Sequence, residues 1–281
     1  MRTYDNTTPP EEVGTCILAY GKTGCGKTRS LGTAPDPIYI TNTEDKDPRN
    51  VLVGCPKKIF YFEFDNFNEQ GDNVNQWITA AREGKFPAKT VSMDGLTFGQ
   101  IKMNQEMEDD RYLIKLGTGK SRGLIDRAAI EEKDWGTGNK LLIRMMGLYK
   151  TLSKMGVLVI FTATEGMFQG EIAPAVSGKQ VPSALHGFFD FIGRIDNGFH
   201  YGENFVPIPA TIRFEPPPAK KDEIYAGEPF MHRCTGEKLA RAGSVPLHWG
   251  KILGMIKEEQ RELWEKAGRE MKTEVSRTDD G

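Results

Sequence analysis

The chain has 281 residues and a mass of 31.4 kDa, enough to bury a large core without disulfide or zinc staples. Hydrophobic residues at 38% and charged residues at 27% exclude a disordered chain. With 37 basic against 39 acidic side chains, net −2, the chain cannot grip nucleic acid or membrane by bulk charge, so any such contact needs a local basic loop. Cys16, Cys25, Cys55 and Cys234 are scattered and form no C-x-x-C pair, which argues against a disulfide framework or a structural zinc site. The start Met1–Asp5 is polar, and no apolar run approaches the roughly 18 residues of a membrane helix. We therefore expect a reduced, cytoplasmic protein with no membrane partner.

In chain order, Thr15–Tyr20 reads as a strand ending at Gly21, and Pro37–Thr41 as a second. Lys58–Phe64, rich in aromatics, reads as a third. Val74, Trp77, Ile78 and Ala81 recur at helical spacing. Thr90–Asp94 is a short strand. Residues 98–136 show no clear period and read as an insertion or loop region: an acidic cluster (Glu106, Glu108, Asp109, Asp110), then a glycine-rich basic stretch from Lys115 to Arg127. Leu141, Leu142, Met145, Leu148, Tyr149, Leu152 and Met155 predict one apolar helix face, with Lys140, Arg144, Lys150 and Lys154 opposite. Val157–Ala163 is continuously apolar, as in a parallel strand buried on both faces. Phe188–Ile195 and Thr211–Phe214 would extend the sheet, Pro216–Pro218 marks a loop, and Trp249–Met271 predicts a terminal helix before a frayed tail at 273–281. Alternating strands and helices with short turns predict an α/β fold with a mainly parallel central sheet flanked by helices.

Gly21-Lys22-Thr23-Gly24-Cys25-Gly26-Lys27-Thr28 matches G-x-x-x-x-G-K-[ST] in full and follows a predicted strand. The glycines let the backbone turn its N–H groups toward phosphate oxygens, and the following helix start favours an anion. Lys27 is expected to reach the β- and γ-phosphates of ATP and Thr28 to place its hydroxyl on Mg²⁺, with Arg29 just beyond. Ile114 replaces the glycine that would make Gly119-Lys120-Ser121 a second such loop. Cys25 inside the loop is either a thiol activated by Lys27 or simply a small residue that fits. Asp94 ends its strand and is the candidate for the Mg²⁺ side; the plainer reading is a turn aspartate. Glu44, after the second strand, is the candidate general base if that strand is parallel and adjacent; the plainer reading is a solvated acid in Glu44–Asp47. Thr164 and Glu165 leave the buried strand at the same edge, as γ-phosphate sensors or as ordinary strand terminators.

The order of these parts, with Asp134-Trp135-Gly136, Val159–Thr164, Ser177–Gln180 and Gly187–Arg194, resembles the phage-encoded nucleotide-binding ATPases of the RecA-like class, which are implicated in single-strand annealing and homologous recombination. The resemblance covers about residues 13–215 and implies a RecA-like P-loop NTPase core there, after an arm at 1–12 and before a loop and short C-terminal helical extension at 216–281. It implies Glu44 as catalytic glutamate, Asp94 as the metal-side aspartate, and Thr164 where RecA has a glutamine coupling the γ-phosphate to its DNA loop. Thr164 and Gly95, where a serine is common, depart from the pattern. The resemblance further implies a ring or filament of identical subunits, with Arg213, Lys220 or Lys221 reaching the neighbour's nucleotide, and a DNA-binding loop from Gly166 to Ala184 containing Lys179.

Lys115, Lys120, Arg122 and Lys179, with Phe168 or Phe188 for base stacking, would make a surface for single-stranded DNA; the plainer reading is a set of solvated charges. The expected activity is ATP hydrolysis on single-stranded DNA, in the host cytoplasm if the gene is a phage's, with a single-strand binding protein as a further partner. The alternatives are a small-molecule phosphotransferase, with 98–136 as a lid carrying Arg111, Arg122 and Arg127, and a nucleotide-gated scaffold or loader that hydrolyses slowly.

Overall fold

The computed structural model describes residues 14–44, 46–117, 132–178, 180–197, 200–201, 207–208, 210–214, 231–234 and 237–278. The predicted strands appear as β1 (Cys16–Gly21), β2 (Ile38–Asn42), β3 (Ile59–Phe62), β4 (Thr90–Asp94) and β5 (Leu158–Phe168). A short β6 (Glu171–Pro174) returns antiparallel on β5, and β7 (Phe191–Asn197) follows. The pair β8 (His200–Tyr201) and β9 (Pro207–Ile208) stands apart from the main sheet. Two further strands, β10 (Thr211–Arg213) and β11 (Ser244–Pro246), complete it.

The main sheet runs β11-β10-β7-β1-β5-β4-β2-β3. From β7 to β3 every neighbouring pair is parallel, and β10 and β11 are antiparallel at one edge. The protein is thus α/β, with a mixed, mostly parallel central sheet.

The inner strands are buried on both faces, as their unbroken apolar runs require. Cys16, Leu18 and Tyr20 of β1, with Val159, Phe161 and Ala163 of β5, point into one core. Ile17 and Ala19, with Leu158 and Ile160, point into the other. The first core is covered by α2 (Phe67–Arg82), α3 (Leu96–Gly117), α4 (Glu132–Ser153) and α5 (Gln180–Phe188). The second is covered by α1 (Lys27–Leu31), α6 (Glu237–Ala242) and α7 (Trp249–Thr278). Among the described residues no helix is long and apolar enough to cross a membrane.

Several expectations are corrected. Residues 98–136 are not a loop where described: α3 fills most of the first part, burying Leu96, Gln100 and Met103, and α4 begins at Glu132. Arg111 lies on α3, while Arg122 and Arg127 lie outside the described residues. The apolar face of α4 is rotated by about one residue. Met146 is fully buried, whereas Leu141 is exposed. Gly166–Ala184 is not an open loop, because β5 runs on to Phe168 and turns at Gln169-Gly170 into β6, and α5 starts at Gln180. Helix α7 continues to Thr278 instead of fraying at 273. Its buried Ile252 and Ile256 extend the second core, and β11 joins the main sheet, so the chain after 216 contributes to the same layers. Leu263, predicted for the inner face of this helix, is exposed.

A polar tie crosses the first core. The Thr41 hydroxyl donates to the Ser92 carbonyl at 3.0 Å, so the buried Tyr149 hydroxyl donates to Thr41 Oγ1 at 2.8 Å and accepts from Gln70 Nε2 at 2.9 Å. It joins β2, α2 and α4. Tyr149→Phe leaves the Gln70 donor without its acceptor in a dry core, and we expect a loss of about 1–3 kcal/mol in urea denaturation.

Candidate functional site

The phosphate-loop sequence occupies the turn between β1 and α1. Gly24 (φ 81°) and Gly26 (φ 95°) both take the left-handed backbone that favours glycine. Lys22, Thr23, Gly24 and Arg29 are exposed, and a Cβ at Gly24 would meet nothing within 4 Å. Gly21 is hemmed in, with a Cβ there falling 3.0 Å from Cys25 Sγ and from the Ile195 carbonyl oxygen. Helix α1 has only five residues, so an anion here would be held by the loop and Lys27 more than by a long helix dipole.

Lys27 is buried, and its ammonium donates to the carbonyls of Gly21 (3.0 Å) and Lys22 (2.9 Å). Among the described residues no carboxylate lies within ion-pair distance of it. The ammonium also reaches Cys25 Sγ at 4.0 Å, and a buried cation held by carbonyls and a thiol is placed to be neutralised by an incoming anion.

Thr28 and Asp94 meet as expected. The Thr28 hydroxyl donates to Asp94 Oδ2 at 2.7 Å, and the Thr162 hydroxyl donates to Oδ1 at 2.6 Å. Asp94 is 2% exposed, and burial holds its carboxyl above the usual range against these two hydrogen bonds and the charge of Lys27. Thr162 also accepts from the Gly95 N–H at 2.9 Å, so one β5 hydroxyl fixes the end of β4. Asp94 and Thr28 present hard oxygen donors side by side, a set that suits Mg²⁺, which typically takes one or two carboxylates and leaves its remaining positions to water and phosphate. Among the described residues no cluster of three or more His, Cys, Asp or Glu is placed to hold a metal ion.

Strand β2 is parallel to β1 but, against expectation, not adjacent to it, since β5 and β4 lie between; Glu44 still comes to the same edge because β2 is parallel to β4 and pairs Asn42 with Asp94. Asn42 steadies the turn by accepting from the Glu44 N–H (3.2 Å) while donating to Glu63 (3.2 Å) and to the Lys46 carbonyl (3.1 Å). Glu44 is half-buried, and its carboxyl is raised first by burial and then by the Asp94 charge, with Lys27 and Lys46 opposing. Asp45 lies outside the described residues. The backbone accounts for a glycine at 95, where the resemblance leads one to expect a serine. Its φ is 99°, and a Cβ there would lie 2.7 Å from Glu44 Cγ and 2.9 Å from Thr43 Oγ1.

Thr164 pairs with Gly21 across the β1–β5 ladder, which sets it beside the loop. Its N–H and hydroxyl both bond to Thr97 Oγ1, at 3.1 and 3.0 Å. Glu165 instead pairs with Arg194 on β7 (3.2 Å), and Asp196 pairs with Arg213. Arg213, proposed to reach a neighbour, is thus already engaged within its own chain. Cys25 packs in the second core, and burial pushes its thiol up while the Lys27 charge opposes, which favours the reading of a small residue that fits the loop. Phe168 and Phe188 pack against the first core instead of standing free for stacking; the exposed apolar side chain of the β5–β6 hairpin is Met167, at 70%. Lys115 falls on α3 with its side chain undescribed, and Lys120, Arg122, Lys179, Lys220 and Lys221 lie outside the described residues.

The sequence places Thr162 at this strand end without a role and gives none to Thr43, Thr97 or Trp249. The last donates its indole N–H to Ser30 at 2.9 Å and so anchors α7 to the helix after the loop. A threonine in an otherwise apolar strand was the available signal for Thr162. Comparison with protein-family models finds no match, and comparison with curated proteins finds no similar sequence.

Gly95→Ser forces a side chain into the Glu44 position from a backbone that disfavours it. We expect a stability loss of about 1–3 kcal/mol and a larger fall in turnover than in nucleotide affinity, read by comparing kcat with a binding titration. If Glu44 is a general base for nucleotide turnover, it must be ionised to accept a proton, and because its carboxyl is raised by burial and by Asp94, that turnover is expected to fall on the acid side at a pH above the ordinary glutamate range. A pH–rate profile checks this, and the acid limb should vanish in the residual activity of Glu44→Gln.

Proposed function

We propose that this chain binds Mg-ATP at the Gly21–Thr28 loop and hydrolyses it. The observation that carries the reading is the buried, carbonyl-held Lys27 beside the Thr28–Asp94 contact, on a full phosphate-loop sequence. Lys27 and the loop would hold the phosphate oxygens, with Thr164 at the neighbouring strand end. Thr28 and Asp94 would hold Mg²⁺, which offsets charge on the phosphates when bound. Glu44 would take a proton from water as the water oxygen bonds to the γ-phosphorus and the bond to the bridging oxygen breaks, leaving ADP and phosphate.

We further infer the RecA-like class and action on single-stranded DNA. The support is the arrangement of Glu44, Asp94 and the loop on β2, β4 and β1, with β5 between the last two, in the pattern that the resemblance implies. The hairpin of β5 and β6 grows directly from Thr164 and Glu165, so a ligand on its exposed tip would be joined to the phosphate edge by one continuous strand.

The test is steady-state ATP hydrolysis with and without single-stranded DNA at low and moderate salt. We expect stimulation that fades as salt rises, because each phosphate contact releases counterion. Lys27→Ala should lower turnover by about 10²-fold or more. Full activity in that variant would overturn the site, and hydrolysis indifferent to DNA would overturn the nucleic-acid part alone.

A further inference from the structure

Thr97 stands on the first turn of α3, just past the Asp94-Gly95 turn, and is half-buried. Its hydroxyl oxygen accepts twice, from the Thr164 N–H at 3.1 Å and from the Thr164 hydroxyl at 3.0 Å. A threonine hydroxyl has two lone pairs and one proton. Both lone pairs are thus spent on one residue of β5, and among the described residues no atom accepts the proton. What Thr97 still offers is a single donor, which only an acceptor can complete.

The neighbouring hydroxyls at this edge have no such surplus. Those of Thr28 and Thr162 donate to the Asp94 carboxylate, that of Thr43 to the carbonyls of Asp94 and Gly95, and that of Thr164 to Thr97. Among these described threonines, Thr97 alone keeps its proton unspent. Its position says what the acceptor is. Thr164 pairs with Gly21 across the β1–β5 ladder, about 5 Å away at the usual strand spacing. The Gly21 carbonyl in turn takes the Lys27 ammonium at 3.0 Å. The Thr97 hydroxyl and the Lys27 ammonium therefore flank one rung of the sheet, and both are donors. A group that bridges them needs acceptor oxygens, which the terminal phosphate of a nucleoside triphosphate supplies.

We propose that the Thr97 hydroxyl donates to an oxygen of the γ-phosphate, and that Thr164 acts through it as a positioning residue. The proposal deepens the triphosphate reading above and rests on it. A nucleoside diphosphate has no oxygen at this place, so Thr97 distinguishes the nucleotide before hydrolysis from the nucleotide after it. Thr164 contributes twice. Its N–H fixes the Thr97 oxygen from the backbone of β5, and its hydroxyl fills the second lone pair, so the Thr97 proton remains for the ligand.

The experiment measures binding of Mg-ADP and of the Mg²⁺ complex of the β,γ-imido analogue of ATP, which resists hydrolysis, by calorimetry on the full chain. Thr97→Val, Thr97→Ser and Thr164→Val are measured alongside. We expect Thr97→Val to weaken the analogue about tenfold or more, because a hydrogen bond to a charged group is lost, and to leave ADP binding unchanged. Thr97→Ser keeps the hydroxyl and should bind both ligands as the unaltered chain does. Thr164→Val keeps its N–H on Thr97 and should weaken the analogue less than Thr97→Val does. Thr97→Cys, with a group of similar size that donates only weakly, gives the same comparison should the valine variant not fold. A loss shared equally by ADP, as a purely structural role would give, overturns the proposal. So does undiminished analogue binding in Thr97→Val, a failure of Thr97→Ser to keep it, or a larger loss in Thr164→Val; each of these leaves the phosphate-loop reading standing. Failure of the unaltered chain to bind either nucleotide overturns both.

Discussion

Burying a carboxylate at the end of a central strand is the constraint around which this edge of the sheet is organised. Asp94 is out of water, and an isolated charge there would be untenable. Two hydroxyls meet it, one from the phosphate loop and one from β5, and the cation of Lys27 acts on it from nearby. Each of these groups is thereby fixed. Thr28 sets the depth of the loop against β4, and Thr162 holds both the Asp94 carboxylate and the Gly95 N–H. The Thr43 hydroxyl contacts the carbonyls of Asp94 and Gly95, tying the end of β2 to the same point. The opposing influences on Asp94 leave its carboxyl raised, through burial, while keeping it hydrogen-bonded.

The sheet makes this convergence possible. Parallel strands bring all their carboxyl ends to one side, and ligands of open α/β sheets bind there. Strands β1 and β4 are not neighbours, since β5 lies between them. The intervening strand must therefore be apolar along its length to fill two cores, yet must supply a polar group at the level of Asp94. The sequence Val159-Ile160-Phe161-Thr162-Ala163 meets both demands with one threonine. On the other face, Trp249 links α7 to Ser30, so the long C-terminal helix supports the segment that follows the loop.

What could be read from the sequence follows from how local each signal is. β1 and β5 are apolar runs whose burial on both faces leaves no ambiguity of face, and β2 is bracketed by turn residues, whereas β4 (Thr90–Asp94) is only half apolar and is the weaker signal although all five of its residues are buried. Lys27 and Thr28 were legible because eight adjacent residues carry the whole motif. Asp94 and Glu44 were legible only as strand ends, and it took the registers Gly21–Thr164 and Asn42–Asp94 to bring them together. Helix α3 was missed because its buried stripe is thin and includes the polar Gln100, with Gly99 beside it. The β5–β6 hairpin was missed because glycine and polar residues there resemble an open loop, although Phe168 packs inward. Met146 displaced Leu141 from the buried face of α4 because both choices keep helical spacing, and only the packing partner distinguishes them.

Gly95 and Glu44 make one feature. A serine at position 95 would carry a Cβ into the space that Glu44 Cγ occupies, from a backbone angle that side chains rarely adopt. The missing side chain is what allows the glutamate to lie close enough to Asp94 to feel its charge. Burial raises the Glu44 carboxyl first and the Asp94 charge adds to it, while Lys27 and Lys46 oppose them. A general base works best when its pKa approaches the ambient pH. Gly95 is therefore a structural counterpart of the position of Glu44: with a serine there, the chain would need a different turn after β4, and the Glu44 carboxyl would move away from the Asp94 charge that adds to the effect of burial.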